Sequence, residues 1–169
     1  MVINEENIKI SCVCFLFVFI MCSKTTVEAE ENDFKNNDYL KLVSCENMDN
    51  GLTCFIYEEE QNINSRSQSR GYTYYVKYEN TGTKESICQL KITVAFTYNN
   101  SNGKAKINSQ TYEIVGLYNG YSLKGFSNSF SEGDPAVAKL LFTIYNKDYT
   151  WKVSPRAYCY NNGSATNSK

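Results

Sequence analysis

The chain has 169 residues, with 17 Lys and Arg against 18 Asp and Glu and no histidine. The missing histidine removes the usual general base, the usual metal ligand and the imidazole partner of a serine or cysteine nucleophile. Balanced, scattered charge provides no basic stripe for phosphates, which argues against nucleic acid as a partner.

The N-terminal segment reads as a leader. Ile10 to Met21 is an almost unbroken apolar run preceded by Lys9. At roughly a dozen residues it falls short of the ~20 that cross a bilayer and matches a signal-peptide core. Val27-Glu28-Ala29 places small or β-branched residues where a signal peptidase reads, so cleavage is expected after Ala29. The expected organisation is a signal peptide over 1–29, a flexible arm over 30–37, a β-domain over 38–160 and a flexible tail over 161–169. No second apolar segment suits a membrane span, so the mature chain is expected to be secreted without inserting into a membrane.

From Tyr39 onward the pattern is strand after strand. Tyr39–Cys45 and Leu52–Tyr57 alternate and flank an Asn50-Gly51 turn, which reads as a hairpin. Glu58 to Arg70 is a polar loop without apolar periodicity. Gly71–Asn80 sends Tyr72, Tyr74, Val76 and Tyr78 to one face, with Thr73, Tyr75 and Lys77 on the other. Cys88–Tyr98 is the strongest segment, with Cys88, Leu90, Ile92, Val94 and Phe96 on one face. Period two sustained over eleven residues means a half-buried strand. Lys104–Val115 and Ser122–Phe130 are less regular strands, with Gly116, Gly120 and Gly125 marking bends. Ala138–Tyr145 alternates again, and Trp151–Tyr160 closes the domain. No segment carries a capped helical stripe. The expected fold is all-β: an antiparallel, immunoglobulin-like β-sandwich of about seven to eight strands. Its core should centre on Leu90, Ile92, Val94, Phe96, Leu140, Phe142 and Ile144, with Trp151 or Val153 against them.

Loss of the leader removes Cys12, Cys14 and Cys22 and leaves Cys45, Cys54, Cys88 and Cys159. An even number suits two disulfides in an oxidising compartment. No short C-x2-4-C pair speaks for zinc. Cys45 and Cys54 flank a single turn, while Cys88 opens the strongest strand and Cys159 closes the last. The expected pairs are therefore Cys45–Cys54 and Cys88–Cys159.

Three stretches in order carry a resemblance. These are Val76-Lys77-Tyr78-Glu79-Asn80-Thr81-Gly82-Thr83-Lys84, the alternating strand Cys88–Tyr98, and Leu117-Tyr118-Asn119-Gly120-Tyr121-Ser122. Together they resemble the strand, N-T-G turn, strand, L-x-x-G-x-S, strand pattern of small immunoglobulin-like sandwiches, such as FxLYD-type domains and some cellulose-binding modules. The match departs from those families at Asn119-Gly120-Tyr121, where they usually carry Pro-Gly-Glu or Pro-Gly-Gln. Its motifs lie in turns, so it implies a fold rather than an activity.

Glu58, Glu59, Glu60, Glu79, Glu113 and Asp134 are the carboxylates a glycosidase dyad would draw on. A small sandwich leaves little room for the cleft that such a dyad needs, and the chain is read as no enzyme, with no cofactor and no metal. Tyrosine is the compositional excess: all 14 follow the leader. Tyr75 stands out of phase with its strand's other aromatics, and Tyr118, Tyr121 and Tyr149 sit beside turns. These four are the candidate ligand-binding residues, able as a cluster to stack on sugars or anchor a protein. Asn99-Asn100-Ser101 and Asn162-Gly163-Ser164 are glycosylation sequons at Asn99 and Asn162. The expected function is a secreted binding module for carbohydrate or an extracellular protein. The rivals are a secreted effector or toxin acting on another organism's cells, and a structural matrix or coat component.

Overall fold

The computed structural model describes residues 39–48, 50–59, 68–99 and 101–169. The expected leader, arm and most of the polar loop, Glu60 included, lie outside them. Alternation becomes strand throughout. β1 (Leu40–Asn47), β2 (Leu52–Glu59), β3 (Ser69–Asn80), β4 (Ser86–Thr97) and β5 (Lys106–Leu117) form one five-stranded sheet in sequential order. β6 (Ser122–Ser131), β7 (Ala136–Tyr145), β8 (Thr150–Val153), β9 (Arg156–Cys159) and β10 (Ala165–Ser168) form the second. Its order is β10-β9-β7-β6, with β8 also pairing to β7. Every pairing is antiparallel, and no helix occurs among the described residues. The first sheet is a meander of sequence neighbours; in the second, β7 pairs with both β8 and β9, and neither sheet has the Greek-key crossover of immunoglobulin strand order.

The two sheets share one apolar core. Leu90, Ile92, Val94 and Phe96 of β4 meet Leu140, Phe142 and Ile144 of β7, all fully buried, with Trp151 and Val153 beside them. An aromatic column runs through it. Tyr112 stacks on Phe126 at 4.2 Å, Phe126 on Phe142 at 5.1 Å, and Tyr78 meets Phe142 edge-on at 6.1 Å. Offset and edge contacts of this kind add to the area each ring buries.

Both long edges of the sandwich are tied across. At β5 and β6, Asn128 Nδ2 donates to Gln110 O (3.1 Å) beside the Tyr112–Phe126 stack. At the other edge Asn167 Nδ2 donates to Glu58 Oε1 (2.8 Å) and to Tyr72 Oη (2.6 Å), while Tyr72 donates to the same carboxylate. Lys169 Nζ lies 2.8 Å from Glu46 Oε2, and that hydrogen bond holds the Glu46 carboxyl below its ordinary range. Within 161–169, where a flexible tail is expected, Ala165–Ser168 forms β10 against β9. A segment without apolar alternation becomes strand because β9 presents a free edge and Asn167 finds polar partners on the facing sheet.

The closing segment Trp151–Tyr160 holds two strands, divided at Ser154-Pro155. Proline has no N–H for the ladder, so β8 pairs with one half of β7 and β9 with the other. Leu140 N donates to Pro155 O (3.1 Å) across the break.

The disulfide expectation is also corrected: all four described cysteines are free thiols. In the β1–β2 register Cys45 pairs with Phe55, and Glu46 with Cys54. A one-residue offset places successive side chains on opposite faces, so Cys45 is exposed and Cys54 buried. Cys88 lies opposite Tyr78 near the end of β3, while Cys159 sits close to Tyr74 and Arg70, farther along that strand. Burial pushes the Cys54 and Cys159 thiols up to about 12 and raises Cys88 further.

Candidate recognition surface at the loop end

Up-and-down strand order gathers alternate connections at one end. The β1–β2, β3–β4, β5–β6 and β7–β8 turns meet there, each shaped by an asparagine. Asn80 Oδ1 accepts from Gly82 N (2.9 Å) and Thr83 N (3.1 Å). Asn146 Oδ1 does the same for Asp148 N (2.9 Å) and Tyr149 N (2.7 Å). Such local bonds are why asparagine punctuates turns. Asn119 and Gly120 both take positive φ, 53° and 70°, the pairing that a type I′ turn demands and that Asn-Gly supplies at least cost.

The four turns are bonded to one another. Thr81 N donates to Gly51 O (2.9 Å), Tyr118 N to Ile87 O (3.0 Å) and Asn119 Nδ2 to Ser86 O (3.2 Å). Trp151 Nε1 donates to Asn50 O (2.9 Å). That last bond satisfies the indole of a ring only 5% exposed and joins β8 of one sheet to the first turn of the other.

Trp151 is the hub of the surface. Tyr149 stacks on it with centroids 5.1 Å apart and planes 7° from parallel. Tyr121 lies 5.8 Å away, tilted by 36°. Tyr149 remains 51% exposed, so one ring face contacts tryptophan while the residue keeps half its surface toward solvent. Tyr121 is half-buried. Burial raises its hydroxyl, a hydrogen bond with Asn80 opposes that, and the carboxylates of Glu85 and Asp148 add to the rise. The surface therefore combines a backed aromatic face with amides and two acids on hydrogen-bonded turns, a set able to stack on a ring and hydrogen-bond its substituents.

Of the four candidate tyrosines, the fold brings together Tyr121 and Tyr149. Tyr118 is in the same turn as Tyr121, but its ring folds back over Gly116, where any Cβ would collide with it. Tyr75 lies on the outer face of the first sheet, donating to Glu59 and with Lys91 Nζ 5.6 Å from its ring centroid. Where a patch of at least three of these four rings is expected, the fold gathers two, Tyr121 and Tyr149, around Trp151, which the sequence assigns to the core. Asn50, Asn80 and Asn119 were legible as turn formers, but their meeting at one end, together with Asn146, depends on strand order.

Among the described carboxylates, Glu59 and Glu113 both lie beside Tyr75 on the outer face of the first sheet. Glu58 takes Tyr72 and Asn167, Glu59 takes Tyr75, and Asp134 Oδ1 accepts from Asn161 N (2.8 Å). Glu79 is buried in an ion pair with Lys77 at 2.9 Å, and Glu113 lies across from Lys91 in the β4–β5 register. Asn99 and Asn162 are both exposed and occupy the opposite end, where Asn99 N donates to Asn161 O (2.8 Å). Comparison with protein-family models, curated proteins and solved structures finds no match to the chain.

Proposed function

We propose that this chain is a secreted, non-enzymatic recognition module that binds carbohydrate at the loop end, with Tyr149 as the stacking platform. The observation that carries the reading is the half-exposed Tyr149 ring held flat against a buried, hydrogen-bonded Trp151. A preset aromatic face loses little entropy when a sugar stacks on it. Asn80, Asn146, Glu85 and Asp148 supply donors and acceptors around it. Loops on a rigid scaffold are a common seat of binding.

The immunoglobulin-like character of the proposal lies in this clustering of binding turns at one end of a sandwich, not in strand order. The case for secretion rests on the Ile10–Met21 apolar run and the Val27-Glu28-Ala29 site; free thiols remove the disulfide argument from it. Glycans on Asn99 and Asn162 would project from the far end and leave the binding turns open. No catalytic step is proposed: among the described carboxylates weighed as a dyad, Glu58, Glu59, Glu79 and Asp134 are engaged in contacts of the fold. A glycan array probed with the protein and with Tyr149→Ala tests the reading. Specific binding that the substitution abolishes supports it, and binding indifferent to the substitution rejects it.

A further inference from the structure

The outer face of the second sheet is cationic and carries no acid. Lys139 of β7 lies directly across from Arg156 of β9, and Lys124 of β6 and Lys152 of β8 flank Thr143 in one row. None of the four has a carboxylate partner within ion-pair distance among the described residues. The nearby acids are engaged elsewhere: Glu132 with Lys106, Asp134 with Asn161 N and Asp148 with Lys147. The acids that lie outward on a sheet, Glu59, Glu79 and Glu113, belong to the other sheet. In a chain of net charge −1 this is segregation. Like charges facing each other across a strand pair are destabilising, and here no acid offsets them.

Lys139 and Arg156 border a shallow depression of about 330 Å³ lined also by Ser129, Phe130, Ser131, Val137 and Tyr158. Arg156 Nε is buried without a hydrogen-bond partner, while the guanidinium hydrogen-bonds Tyr158. A donor fork beside an ammonium and two hydroxyls is the chemistry that receives a tetrahedral oxyanion. Lys124, held 4.3 Å from the Tyr145 ring centroid, and Lys152 extend the positive track toward the loop end.

We infer that this face is a docking surface for a sulfated polysaccharide, with one sulfate seated between Lys139 and Arg156 and the chain running on past Lys124 and Lys152. A repeating polyanion matches cations spaced along strands. A concave seat that holds two cations beside serine hydroxyls favours a sulfate group over a bilayer, which is held by residues that project. The inference goes beyond the loop-end reading and uses none of its residues.

The test is titration calorimetry of the protein with a heparin oligosaccharide of defined length at about 0.15 M ionic strength, where the Debye length is roughly 8 Å. Lys139→Gln/Arg156→Gln should weaken binding by about tenfold or more, since two charge-assisted contacts are lost. The exposed pair Lys124→Gln/Lys152→Gln should weaken it as well, which keeps the test open if the first variant folds poorly. Lys41→Gln/Lys106→Gln removes the same charge from other surfaces and should change affinity less than about twofold, because screening confines the effect to nearby charges. Tyr149→Ala should leave heparin binding unchanged, so failure of this site and failure of the loop-end site are distinguishable. Absence of heparin binding, equal losses in all three lysine and arginine variants, or tighter binding to phosphatidylserine vesicles than to heparin would overturn the inference.

Discussion

Tyr149 and Trp151 lie two residues apart on the β7–β8 hairpin yet stack face to face, 5.1 Å between centroids and 7° between planes. The Asn146 side chain makes this possible by accepting from Asp148 N and Tyr149 N, which folds the turn back over the indole. The two rings have different tasks, and substitution should separate them. Trp151→Ala removes a buried ring and the bond to Asn50 O, and is expected to cost about 3–5 kcal/mol. Tyr149→Ala should change stability by no more than about 1 kcal/mol. Urea denaturation of both variants checks the contrast.

The aromatic column predicts a gradient of cost from centre to surface. Phe142→Ala, at its fully buried centre between Phe126 and Tyr78, is expected to lose about 3–5 kcal/mol. Tyr112→Ala, at the exposed end of the same column, should lose about 1 kcal/mol. Chemical denaturation with an unchanged m-value would show that both act on the native state.

Lys77 and Glu79 form an ion pair on the outer face of the first sheet, and both side chains are almost wholly buried. Removing one partner leaves a buried charge, so Lys77→Met is expected to cost about 3–5 kcal/mol. The double variant Lys77→Met/Glu79→Leu should recover much of that loss, as replacement of a buried pair by apolar groups is often neutral. A double-mutant cycle on unfolding free energies measures the coupling.

The thiols predict both reactivity and alkaline behaviour. In the chain beginning at Glu30, a thiol reagent should label Cys45 in the folded state and all four cysteines only after unfolding. Cys54 and Cys159 are raised from 9.0 to about 12 by burial. A group whose folded value is raised contributes its full stability below the unfolded value and loses it as pH rises through the folded one. Stability should therefore hold to about pH 9 and fall progressively toward about pH 12, as a denaturation series against pH would record.

Strand and core were legible because period two leaves little choice about which face is buried. Leu90 to Phe96 and Leu140 to Ile144 place a large apolar residue at every inward position, and the core follows from that. β10 was not legible, since Ala165-Thr166-Asn167-Ser168 carries no apolar row and becomes strand only against β9. The disulfide expectation failed on register: flanking one turn does not put two cysteines opposite one another, and here they differ by one position. The tyrosine pair was half legible. Proximity to turns marked Tyr121 and Tyr149, but it also marked Tyr118, whose ring is drawn away by the space that Gly116 leaves. The lone Trp151 reads correctly as core, and only the structure places the tyrosines on it.

The central claim is carbohydrate recognition at the loop end, and an array of defined glycans probed with the protein, Tyr149→Ala and Tyr75→Ala tests it most directly. The account predicts specific binding to a defined glycan, retained by Tyr75→Ala and weakened about tenfold or more by Tyr149→Ala, as expected of an aromatic anchor. Absence of binding to any glycan, or binding that Tyr149→Ala leaves intact, would contradict it.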